Sequence, residues 1–217
     1  TLDLLPASPP TPDNFVAGGN AETLAALTAW LAGERREMSF CLWGEAGSGR
    51  SHLLLASGFA YVDAVHDPAL ATVADTEQLA VDHVEALNES GQIALFNHFN
   101  RLKMAAGMLL TAADQPPAHL ALREDLRTRL GSGLIYRLQP LGDGEKAAAL
   151  AAQARERALK LTPEAIDYLM RHAPRDMRTL SAFVVALDRY TLEHKRAVTL
   201  PLLRELLTET LPLDFAK

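Results

Sequence analysis

A run of strand-forming residues, Phe40-Cys41-Leu42-Trp43, feeds straight into Gly44-Glu45-Ala46-Gly47-Ser48-Gly49-Arg50-Ser51 and then into helix-forming His52-Leu53-Leu54-Leu55. Strand, glycine-rich turn and helix in that order are the setting of a phosphate-binding loop. The spacing fits G-x4-G-K-[ST] except that position 50 is Arg. The chemistry on offer is polyphosphate binding. Glycines let successive N–H groups curl around the anion, the start of the helix adds partial positive charge, and the Ser51 hydroxyl would sit on Mg²⁺. Arg50 keeps a cation at the phosphates, but a planar guanidinium is bulkier than an ammonium and fits the curled loop differently. The plainer alternative for the motif alone is an ordinary glycine-rich turn before a helix.

Three other groups of residues could do chemistry. Leu79-Ala80-Val81-Asp82-His83-Val84 reads as a strand ending in an acid, where a ligand to a Mg²⁺-bound water belongs; a capping or turn Asp is the alternative. Arg123, Arg127 and Arg129 are interleaved with leucines in a segment that the spacing predicts to be one helix over 119–130. By frequency alone they are a solvated face with Glu124 and Asp125 as partners. Thr1-Leu2-Asp3-Leu4-Leu5 alternates leucines just before Pro6, Pro9, Pro10 and Pro12. The prolines exclude regular helix or sheet, so 1–12 is expected to be an extended arm. It reads either as a short peptide that docks in a partner's groove or as an arm packed on its own domain.

The elements that must position these groups follow from periodicity. A helix is expected over 21–32, with Leu24, Leu27, Trp30 and Leu31 as its apolar stripe. Further strands are expected over 59–63, 79–84, 108–113 and 134–138, with a helix over 92–102 between the third and fourth. The interval from Ser51 to Gly58 is short for a crossover connection. It implies either an abbreviated helix or a segment left out of the sequence, and the second is the favoured expectation; 103–107 is short in the same way. After Gly142-Asp143-Gly144 nothing reads as strand. Helices are expected from 143 or 145 to 160, from Thr162 as cap with Pro163 at its first position, over 176–194, and from Thr199 through Leu207. The expected organisation is therefore an α/β parallel-sheet domain over 13–141 and a small all-helical domain over 142–217.

Composition narrows the function classes. At 217 residues, 48% hydrophobic and 22% charged, the chain can bury a sizeable core as a soluble globular protein. A formal net charge of -6 lacks the footprint of a protein that wraps nucleic acid by itself, so no strong direct nucleic-acid binding is expected. The sole cysteine, Cys41, excludes an intramolecular disulfide and suits a reducing cytoplasm. No stretch reads as a membrane span or signal peptide, and the seven histidines show no zinc spacing.

A P-loop sheet domain followed by a helical lid resembles the AAA+ ATPases. Within them the wording is similar to the DnaA-related group, and most similar to the Hda family of regulatory inactivators, over nearly the whole chain. Asp13-Asn14-Phe15-Val16 resembles the segment that lies near adenine in that group. Gly44 to His52 resembles the loop ending Gly-Arg-Ser-His, and Asp82 falls on the Walker B acid. Leu110 to Pro117 resembles the sensor 1 segment, with Asp114 in it; Leu126-Arg127-Thr128-Arg129-Leu130 matches the box that carries the arginine finger, on Arg129. Tyr136 to Leu141 and Asp176-Met177-Arg178-Thr179-Leu180 are close to the family wording, with the sensor 2 arginine at Arg178, and Leu2-Asp3-Leu4-Leu5 resembles the sliding-clamp-binding peptide. There are departures: Thr1 stands for Gln and Leu5 for Phe or Pro in the clamp peptide, and His83 stands for the second acid that polarises attacking water.

The resemblance implies a regulator that holds ADP, or ATP, with Mg²⁺, and hydrolyses it weakly or not at all. Bound nucleotide would set the lid through Arg178. With the DNA-loaded sliding clamp, Arg129 would stimulate hydrolysis of ATP held by the initiator DnaA and so prevent re-initiation of chromosome replication. Like its relatives the chain is expected to lack a helix-turn-helix domain. The rival expectations are a free-standing, self-assembling AAA+ ATPase that loads or remodels a replication partner, and a non-catalytic nucleotide-sensing scaffold.

Overall fold

The structure, a computed structural model, describes residues 9–174, 176–194 and 196–210, the side chains of 208–210 excepted. The expected arm residues Leu2, Asp3, Leu4 and Leu5 lie outside the described residues. Two compact units share the chain. One is Pro10–Pro140; the described part of the other is Pro9 together with the residues from Leu141 on.

The first unit is built on five parallel strands, β1 (Ser39–Trp43), β2 (Ala60–Asp63), β3 (Gln78–Asp82), β4 (Met108–Ala113) and β5 (Leu134–Arg137), in the order β2-β3-β4-β1-β5. A parallel sheet with both faces covered needs strands that are apolar nearly throughout, and β1 and β4 are, with Ser39 and Thr111 as the buried polar exceptions. Along β4, Leu110 and Ala112 join Leu27 and Trp30 of α1 (Ala21–Leu31) and Leu53 and Leu54 of α2 (Arg50–Ala56). Its Leu109 and Ala113 join Leu95, Phe99 and Leu102 of α3 (Glu89–Met104) and Leu126 and Leu130 of α4 (Glu124–Leu130). Trp30 is wholly buried and still satisfied, its indole Nε1–H donating to the Glu37 carbonyl at 2.6 Å.

Several expected boundaries move, each for a local reason. The crossover after β1 is the abbreviated one, with no missing segment needed: α2 ends at Ala56, a turn follows at Ser57-Gly58, and β2 starts at Ala60. The short link at 103–107 closes likewise, the Gly107 N–H donating to the Leu102 carbonyl at 2.8 Å just ahead of β4. β3 stops at Asp82 because His83 turns into the left-handed region at φ 51°. The helix expected over 119–130 is only its second half. Pro117–His119 makes one 3-10 turn, and Leu120 (ψ 140°) and Arg123 (ψ 140°) are extended. Leu120 and Leu122 are then both buried two residues apart, which one face of a helix would not permit, and Gln92 Oε1 accepts the Arg123 N–H at 2.9 Å.

The second unit packs α5 (Asp143–Glu156), α6 (Pro163–His172), α7 (Met177–His194) and α8 (Leu200–Thr210) around Leu150, Leu169, Leu180, Phe183, Leu187 and Leu203. Thr162 caps α6 with Pro163 at its first position, as its sequence requires; Asp176 Oδ1 accepts the Thr179 N–H of α7 and Thr199 Oγ1 the Leu202 N–H of α8. α5 ends short of the expected residue 160, because Ala158 at φ 54° turns the chain and sends Leu159 into the core.

Candidate functional site

The loop after β1 leaves the C-terminal edge of the sheet between β4 and β5, the edge at which open parallel sheets bind ligands. Both neighbours hold it. The Gly44 N–H donates to the Ala113 carbonyl at 3.2 Å, and the Leu138 N–H donates to the Trp43 carbonyl at 2.7 Å. A Cβ on Gly44 would collide with the Leu138 carbonyl oxygen, so the close approach needs glycine. Gly49 has φ 97° where it starts α2, and the Phe15 ring lies where its Cβ would be. The ring centroids of Phe15 and His52 are 5.4 Å apart, and His52 Nε2 lies 3.0 Å from the Thr11 carbonyl oxygen. Thus Phe15 and His52, two of the residues singled out from sequence, are brought together at the end of the loop; Val16 beside them is partly buried.

Within the loop Ser48 and Arg50 are buried, Glu45, Ala46 and Gly47 are exposed, and Ser51 is partly exposed. Ser48 Oγ and Arg50 Nη1 are buried with no hydrogen-bond partner among the described residues. Buried donors without acceptors are costly, and a ligand supplying acceptors, a phosphate above all, removes that cost. The residues present therefore fit an anionic group at the loop. Glu85, which sequence reading passed over, puts Oε1 4.0 Å from Arg50 Nη1. Burial, with the nearby Asp114 carboxylate adding to it, raises the Glu85 pKa above the usual carboxylate range. Arg137 lies 5.2 Å above the Trp43 ring and 3.7 Å from Glu45 at the mouth of the loop.

Asp82 is fully buried, and each of its oxygens accepts a hydrogen bond from its own unit. The Tyr61 hydroxyl donates to Oδ2 at 3.1 Å and the His83 N–H to Oδ1 at 2.9 Å. Burial and then the Asp82 charge push the Tyr61 phenol well above its ordinary pKa, so it stays a donor. The His83 ring does not stand free as a base: its Nδ1 is 3.0 Å from Asp63 Oδ1 and 3.6 Å from Asp82 Oδ1. The pairing of β2 with β3 sets Asp63 opposite Asp82, a register that sequence spacing does not reveal. Ser51 and Asp82, the expected Mg²⁺ neighbours, both sit at this edge, as does the exposed Asp114 just after β4.

Arg129 lies on another face. Its guanidinium is 5.9 Å from the Phe96 ring centroid and 5.8 Å from that of Phe99, half-buried at an open groove of about 680 Å³ lined by Phe96, Arg123, Glu124, Asp125, Thr128 and Arg129. Arg127 does not line the groove. Of the expected pairings of these arginines with Glu124 and Asp125, Arg123 makes a two-pronged pair with Asp125, at 3.2 and 2.9 Å. Arg178 is exposed near the start of α7 in the second unit.

Residues 143–207 match the family model described as the lid domain of Hda. Domain III of the Thermotoga maritima replication initiation protein DnaA is similar in structure, with a TM-score of 0.72 at 21% identity, covering 98% of this chain and 100% of that one. AMPPCP-bound DnaA from Aquifex aeolicus gives a TM-score of 0.65 at 22% identity over 86% of this chain and 69% of that one. Thermotoga maritima RuvB gives 0.65 at 16% identity over 94% and 72%. At these identities the structural likeness is one of fold, the AAA+ fold, and the lid supplies the narrower relation. Residues 143–207 thus form a lid of the Hda family, in a chain whose fold is the AAA+ fold shared with DnaA domain III.

Proposed function

We propose that the chain is a nucleotide-holding regulator that acts on DnaA, with the sliding clamp, by supplying Arg129 to the ATP bound there. The observation that carries this reading is the setting of Arg129, whose guanidinium rests on two aromatic rings at an open groove while Arg127 stays outside it. A guanidinium held in that way loses little freedom on meeting a partner's phosphates and can span two oxygens with its fork. It would stabilise charge developing on the γ-phosphate, a contribution of about 10³ to 10⁵ in rate for arginine fingers generally.

The loop's role in this reading is to hold nucleotide, ADP in the resting state, more than to cleave it. Ser48 and Arg50 would take phosphate oxygens, Phe15 and Val16 would flank the base, and Ser51 and Asp82 would hold Mg²⁺, which neutralises phosphate charge when bound. His83 stands in place of the acid that would activate water, and its ring is held against Asp63. Asp114 and Arg178 would sense the bound nucleotide, and Leu2, Asp3, Leu4 and Leu5 would dock in the clamp.

The test is a reconstitution of ATP-loaded DnaA, DNA-loaded clamp and this protein, following phosphate release. Arg129→Ala should lose stimulation by orders of magnitude while retaining ADP; Arg127→Ala should lose far less. Replacing Leu2 and Leu4 together by Ala should lose stimulation by abolishing clamp binding, with the melting temperature unchanged. Wild-type stimulation by Arg129→Ala would overturn the finger and leave the scaffold in its place.

A further inference from the structure

Arg50 is the loop's cation, and its environment is unusual. Its side chain is 8% exposed, one guanidinium nitrogen has no hydrogen-bond partner, and the acid facing that nitrogen, Glu85, stands at 4.0 Å, beyond hydrogen-bond reach. The two charges are thus paired electrostatically while the donor remains open. Glu85 comes from the single 3-10 turn Val84–Ala86 that follows Asp82 and His83, so it reaches the loop from β3. Its side chain is 27% exposed, covered enough that water screens the pair only in part.

We propose that Glu85 is a built-in counter-charge that competes with nucleotide phosphates for Arg50 and so limits the affinity of the loop for them. The proposal rests on the nucleotide-holding reading above. A unit negative charge 4.0 Å from the guanidinium offsets much of the positive potential that Arg50 presents to an anion. When phosphate oxygens take the open donor, Glu85 loses part of its pairing and stays close to a second carboxylate, Asp114, whose charge already disfavours its ionised form. Part of the favourable Arg50–phosphate interaction is spent on that loss. The consequence is a site that binds nucleotide through an intact glycine loop and still releases it.

The measurement is a set of calorimetric titrations of the full chain with ADP, with and without Mg²⁺, for wild type, Glu85→Gln, Arg50→Ala and the double variant. Circular dichroism checks that each is folded. Glu85→Gln keeps the shape and removes the charge. It should tighten ADP about tenfold, within the range usual for couplings between two groups at one site. In the Arg50→Ala background the same change should alter affinity less than about twofold, since the competition acts through Arg50. Unchanged or weakened ADP binding by Glu85→Gln would overturn the proposal, and so would equal tightening in both backgrounds, which would mean direct repulsion of phosphate by Glu85. If the folded wild type binds no ADP, the nucleotide reading falls, and this proposal with it. If the wild type binds and only the Glu85 effect is missing, the inference alone falls.

Discussion

Gly49 shows how a single residue holds the candidate site together. At φ 97° an L side chain is strained, and its Cβ would strike the Phe15 ring. Gly49→Ala should destabilise the protein by about 2 kcal/mol in urea denaturation from the left-handed backbone alone, and should also weaken ADP binding by displacing Phe15. Asp63 carries a second prediction. Burial by itself raises its pKa, but the Val65 N–H and the His83 and His66 rings outweigh that and bring it below its ordinary 3.8. A carboxyl whose folded pKa is depressed contributes stability that is present above the unfolded value and lost as pH falls through the folded one. Melting temperature against pH should therefore fall more steeply below about pH 4 for wild type than for Asp63→Asn. Equal slopes would mean that the three donors do not hold the ionised form.

Helix ends and the short segments around them decide how the elements fit. Thr162 Oγ1 accepts the Ala165 N–H at 3.3 Å ahead of Pro163, whose missing N–H is no loss at the start of a helix. Thr162→Ala should cost about 1 kcal/mol in urea denaturation, and Thr162→Ser should restore most of it. α4 is the contrary case. Leucine spacing and a run of good helix formers suggested a helix five residues longer than the one that forms. Burial of both Leu120 and Leu122 in the sheet core outweighs that preference, and it frees the chain to deliver α4, with Arg129 near its end, against Phe96 and Phe99 of α3.

Each of the two units has its own apolar core. Among the described residues no helix is long and apolar enough to cross a membrane. If the loop holds nucleotide, binding to the folded state alone must stabilise it by mass action. Unfolding free energy should then rise with the logarithm of ADP concentration, reaching about 2.7 kcal/mol at a hundredfold excess over Kd. Arg50→Ala should flatten that dependence. A wild-type stability independent of ADP would count against the nucleotide reading.

The sequence by itself determined the alternation of strands and helices up to Leu138, the helical second unit and the glycine loop, because periodicity and glycine chemistry are local properties. The cap at Thr162 was readable for the same reason, and Asp176 and Thr199 were readable as the starts of their helices. Tertiary structure alone decided which charges meet. Glu85 reaches Arg50 across 35 positions, and Tyr61 reaches Asp82 through strand register. Such pairs depend on strand order and on where short turns end, and those are settled by which apolar faces can be buried together. Spacing along the chain carries no record of that.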